Sequence, residues 1–115
     1  MYKNIFIIII CLFIYLQCNS QDTIKILQYN LLCYGVNNYG CSNSNNEISN
    51  KTDYLKTIIN YSKPDIFGVN ELSPDNYFHD YIKNNVFILN GFANYSIGEV
   101  KGSDLTSQIF YNSNK

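Results

Sequence analysis

The chain has 115 residues, 46% of them hydrophobic, which fits one small globular domain and no more. Eight Lys stand against nine Asp or Glu and Arg is absent, so no basic field points to non-specific binding of nucleic acid or of an acidic membrane. Asn-rich runs favour disorder, but eleven Tyr and seven Phe argue for a packed interior.

The first twenty residues read as a secretory signal peptide. Lys3 supplies the cation, and Ile5 to Leu16 is an unbroken apolar run, too short for the roughly 20 residues a bilayer-crossing helix needs. Cys18-Asn19-Ser20 places small side chains at the minus-three and minus-one positions, which predicts cleavage after Ser20 and a secreted product. A retained amino-terminal anchor is the alternative; otherwise no stable membrane partner is expected. Cys33 and Cys41 then remain in the mature chain, flanking a loop, and a disulfide between them fits an oxidising compartment. Closing so short a loop contributes about 2–3 kcal/mol where geometry permits.

From Thr23 to Leu32 a β-branched and aromatic run predicts a strand, apolar on both faces and therefore expected to be buried on both sides. Residues 33–46 are rich in Gly, Asn, Ser and Tyr and read as a loop. A helix is expected from about Lys51 to Ser62: Leu55, Ile58, Ile59 and Ser62 fall at helical spacing, Asn50 or Thr52 is placed to cap it, and Asp53 suits its first turn. Lys63-Pro64 ends it, since proline lacks a donor and pushes the preceding residue out of helical conformation. Asp65 to Leu72 reads as a second buried strand.

Strand, helix and strand in this order make a βαβ unit with parallel strands and a right-handed crossover. Both strands then end on one edge of the sheet, the edge where α/β folds place ligands. The α/β reading thus brings Asn30, ending the first strand, towards Glu71, ending the second. A carboxylate there needs a cation or a donor to offset its desolvation, and Mg²⁺ or Mn²⁺ is the hard cation that suits it.

Ser73-Pro74-Asp75 is a helix start, with Ser73 as cap, Pro74 first in the helix and Asp75 in its first turn. Tyr77, Phe78, Tyr81 and Ile82 form its apolar face, and His79 reads as a solvated residue on its surface. Val86 to Leu89 predicts a short strand, Gly98 to Ser103 a turn containing the approach to Asp104, and Leu105 to Tyr111 a last strand.

Ile26-Leu27-Gln28-Tyr29-Asn30 resembles the first-strand motif of the endonuclease/exonuclease/phosphatase superfamily. Lys63-Pro64-Asp65 through Asn70-Glu71-Leu72 resembles its second motif, and Ser107 to Ser113 is similar to a later strand. The loop with Cys33 and Cys41 is most similar to that of exported bacterial members. Asn70 departs from the pattern, standing where Gln is common.

The resemblance implies the amino-terminal part of that family's α/β sandwich over residues 21–115, with Asn30 as the active-site asparagine and Glu71 as the ligand of one divalent Mg or Mn ion. It further implies hydrolysis of a phosphodiester or phosphomonoester, nucleic acid among them. The family's Asp-x-Asn pair, its further metal-side Asp and its acid/base His belong to a carboxyl-terminal half that this chain lacks, so the chain alone is expected to be inactive. The alternative is a small exported binding module with a degenerate half-fold and no catalysis; an unrelated secreted structural protein is a third reading.

Overall fold

In a computed structural model, residues 23–42, 44, 46–98 and 104–115 are described. The signal peptide expected over residues 1–20, its cleavage point and turn residues 99–103 lie outside them. Strand β1 (Ile26–Tyr34) is followed by helix α1 (Ile48–Ser62), strand β2 (Ile66–Leu72), helix α2 (Asn76–Ile82), a π-helical turn (Lys83–Phe87), a 3₁₀ turn (Ile88–Asn90), and strands β3 (Tyr95–Ile97) and β4 (Thr106–Asn112). The fold is mixed α/β: one four-stranded sheet in the order β1-β2-β4-β3, with helices over one face. No helix among the described residues is long and apolar enough to cross a membrane.

β1 and β2 are parallel, from Ile26 opposite Ile66 to Asn30 opposite Asn70, as a βαβ unit requires. β4 runs antiparallel to both β2 and β3. Along β4, Thr106, Gln108 and Phe110 are buried while Ser107, Ile109 and Tyr111 are exposed, the period-two signature of a sheet covered on one face. The covered face packs Phe67, Val69, Leu72 and Phe110 against Leu55 and Ile59 of α1 and Ile82, Val86 and Phe87 beyond β2.

The other face corrects the expectation for the first strand, which is not buried on both sides. β1 is an edge strand, and Ile24 (59% exposed) and Ile26 (73%) meet solvent because no described element covers that face, while Tyr29 (42%), on the helix side with Leu27 and Leu31, is exposed at the cleft beside α1. Only Leu31, Cys33 and Tyr34 of β1 are buried.

α1 begins a turn earlier than its spacing predicts. Glu47 is the N-cap residue and makes no side-chain cap, whereas Thr52, expected as a cap, lies inside the helix and is buried. The reason is packing: Ile48 lies against the core, and the Thr52 hydroxyl serves Tyr34 Oη at 2.7 Å and Ile48 O at 2.6 Å. Asp53 accordingly falls beyond the first turn. The C-terminus matches the Lys63-Pro64 stop, with Lys63 left-handed (φ 45°) and its N–H donating to Ile59 O.

α2 is capped by Asp75, whose carboxylate accepts from Tyr77 N, and not by Ser73. Ser73 is buried and its Oγ accepts instead from Asp75 N at 3.3 Å, so Pro74 stays outside the helix. The strand expected over Val86–Leu89 is helical. Ile82 and Val86 stand four apart and continue the apolar face of α2 into the core, and Phe87 stacks on Tyr95 with centroids 4.2 Å apart. Asp104 lies in a bend, as a turn residue should.

Candidate functional site

Strands β1 and β2 end together, and there the regular ladder breaks. Beyond the pair Asn30–Asn70 the register resumes at Tyr34–Leu72, so four residues of β1 stand against two of β2. Three non-glycine residues at this break are left-handed: Leu32 (φ 51°), Cys33 (φ 58°) and Glu71 (φ 58°). Side chains with a Cβ rarely adopt that conformation, and such outliers gather at functional sites.

The break brings the two sequence-derived site residues into contact. Asn30 Nδ2 donates to Glu71 Oε1 at 2.8 Å, and Asn30 Oδ1 accepts from Leu32 N at 2.8 Å. The second bond fixes which way the amide faces, because it assigns the oxygen to the backbone and the NH₂ to the carboxylate. Glu71 keeps its other oxygen, Oε2, without a protein partner among the described residues. Next to it, Asn70 Oδ1 accepts from Ser107 Oγ at 2.8 Å, which ties the end of β2 to β4.

Lys51 was not singled out by the sequence pattern, yet it reaches this rim from α1. Its Nζ donates to Leu31 O at 2.9 Å and to Leu32 O. Burial lowers the pKa of its ammonium, while Cys41, Cys33 and Glu71 nearby act in the opposite direction. A cleft of about 450 Å³ opens beside it, lined by Tyr29, Asn30, Glu47, Asn50, Lys51 and Tyr54.

Cys33 and Cys41, weighed as a disulfide pair, stand beside each other as free thiols. Cys41 Sγ lies 3.9 Å from Leu32 O, and its hydrogen bond with Cys33, together with burial, pushes the Cys33 thiol up to about 11.

Among the described residues no group of three or more His, Cys, Asp or Glu converges. The donor set at the rim is therefore one carboxylate with an amide behind it. That set fits a hard divalent cation, since Mg²⁺ is commonly held by one or two carboxylates and completes its shell with water and substrate phosphate oxygens.

His79 corrects the sequence reading: it is not solvated. It is 2% exposed, with Nδ1 3.0 Å from Gln108 Oε1 and Nε2 2.8 Å from Ser73 O. It links α2 to β4 and to the end of β2, and it makes no hydrogen bond to Asn30 or Glu71. Compared with known proteins, the chain matches no family model, no curated protein and no solved structure.

Proposed function

We propose that this chain is the amino-terminal part of a secreted, metal-dependent phosphoesterase with the α/β sandwich of the endonuclease/exonuclease/phosphatase superfamily. One observation carries the reading: the 2.8 Å bond between Asn30 and Glu71 at the carboxyl ends of two parallel strands, where the backbone is forced into left-handed geometry. The uncovered sheet face supports it too, because Ile26, Ile109 and Tyr111 make an apolar layer of the kind a second sheet covers in a sandwich.

In this reading Glu71 would hold one Mg²⁺ or Mn²⁺ ion, and Asn30 would orient the carboxylate and present its amide to a substrate phosphate oxygen. The cation, when bound, stabilises negative charge developing on the phosphoryl oxygens. Asn30 and Leu32 keep the carboxylate from rotating, so it meets the cation in one orientation. Proton transfer to and from water belongs to the acid/base pair of the carboxyl-terminal half.

Mn²⁺ titration of the purified chain, followed by NMR line broadening, tests the reading. Selective broadening at Asn30 and Glu71, abolished by Glu71→Gln, is expected. Broadening that persists in the Gln variant would overturn it. The chain alone is expected to leave a model phosphodiester intact in Mg²⁺; EDTA-sensitive hydrolysis by highly purified chain would contradict that. A coding sequence after Lys115 that supplies Asp-x-Asn and a late Ser-Asp-His would support the family assignment.

A further inference from the structure

The left-handed residues Leu32 and Cys33 place the end of β1 in a conformation that neither the strand ladder nor their side chains favour. Something has to hold them, and the only cation bonded to this segment among the described residues is Lys51. Its Nζ joins the carbonyls of Leu31 and Leu32, the two residues on either side of the peptide unit whose N–H, that of Leu32, fixes the Asn30 amide.

We propose that Lys51 is a positioning residue for the Asn30–Glu71 pair, acting through an unbroken series of bonds from α1 to the site. The series runs from Lys51 Nζ to the Leu31 and Leu32 carbonyls, from Leu32 N to Asn30 Oδ1, and from Asn30 Nδ2 to Glu71 Oε1. Lys51 sits one turn into a helix whose next buried positions, Thr52, Leu55 and Ile59, lock it to the core, so the ammonium is held by a rigid element. The role rests on the proposed function only for its consequence: with a cation on Glu71, Lys51 sets the orientation in which the carboxylate receives it.

The sign of its effect separates this role from plain electrostatics. As a nearby positive charge alone, Lys51 would repel a cation at Glu71, so its removal would tighten metal binding. As a positioning residue it strengthens binding, and its removal weakens it. The experiment uses the ¹⁵N-labelled full chain as wild type, Lys51→Met and Lys51→Arg, with Lys51→Gln taking the place of the Met variant should that one not fold.

Without metal, the Asn30 side-chain NH₂ signals are expected to be shifted and protected in wild type and in the Arg variant, and to collapse to free-amide values in the Met variant. With Mn²⁺, the Met variant should bind about tenfold more weakly, the effect typical of losing an outer-shell partner, and Arg should restore it. Unchanged Asn30 amide signals in the Met or Gln variant, or tighter Mn²⁺ binding, overturn the role. Wild-type chain with protected Asn30 signals and no Mn²⁺ site would sink the phosphoesterase reading while leaving Lys51 as the residue that positions Asn30.

Discussion

Asn30 and Glu71 are 41 positions apart and are joined by a 2.8 Å hydrogen bond at the end of the only parallel strand pair among the described residues. The register sets Asn30 opposite Asn70, and Glu71 follows with φ 58°. The turn at Glu71 breaks the alternation of β2, whose residues 70 and 71 are both half-buried, and lets the carboxylate meet the amide. The contact thus depends on a backbone conformation that costs stability locally.

Replacing Asn30 with Ala removes both ends of this arrangement. Leu32 N loses its acceptor and Glu71 loses its donor, and both bonds are solvent-exposed, so water replaces part of each. The expected loss is about 1 kcal/mol, read as a lower urea midpoint with unchanged slope. Mn²⁺ affinity should fall with it, whereas Asn30→Asp adds a second carboxylate and should raise Mn²⁺ affinity.

Substitutions at Glu71 isolate the backbone strain. Both Glu71→Gly and Glu71→Ala delete the carboxylate, so they differ only in what a Cβ costs at φ 58°. The Gly variant should be the more stable by about 1 kcal/mol in urea unfolding, with Mn²⁺ binding lost in both. Equal stability of the two would mean that the left-handed turn is not present in solution.

What the sequence revealed follows from which partners have residue types. Parallel strands ending in Asn30 and Glu71 could be read because a hydrophobic run, a proline stop and a strand-end carboxylate are all local patterns. Lys51 could not, because its partners are backbone carbonyls, which every residue has. Val86–Leu89 has the length and composition of a strand, and what decides it is tertiary: Phe87 finds Tyr95, and Val86 continues the face begun by Ile82. β3 was missed because three residues, Tyr95–Ile97, are too few for a periodic signal, and its pairing with β4 is what defines it.

His79 was misread for the same reason, since its partner Gln108 lies 29 positions away. Gln108 Nε2 donates to Gly98 O and Ile109 O, each at 2.9 Å, which orients Oε1 towards the ring. His79→Ala would remove a buried ring whose two nitrogens face the acceptors Gln108 Oε1 and Ser73 O, of which a single tautomer donates to one, and would open a cavity beneath α2. The expected cost is about 2–3 kcal/mol by thermal or urea unfolding. A change near zero would show that the ring is solvated after all.

Asp65 anchors the opposite end of the sheet and predicts how acid unfolds the chain. Its carboxylate accepts from Lys25 N at 2.9 Å and pairs with Lys115 Nζ at 3.2 Å, while its own N–H donates to Lys25 O. The Lys25 N–H bond, aided by Lys115 and opposed by desolvation, holds the carboxyl below its ordinary range. A depressed folded-state pKa means that the native state resists protonation. The contribution is therefore fully present above the unfolded value of about 3.9 and is lost as pH falls through the lower folded value. Asp65→Asn cannot titrate, so its stability should be lower at neutral pH and fall less steeply on acidification. Urea midpoints of both proteins between about pH 6 and about pH 3 check this: converging curves at low pH are expected, and parallel curves would remove Asp65 from the acid response.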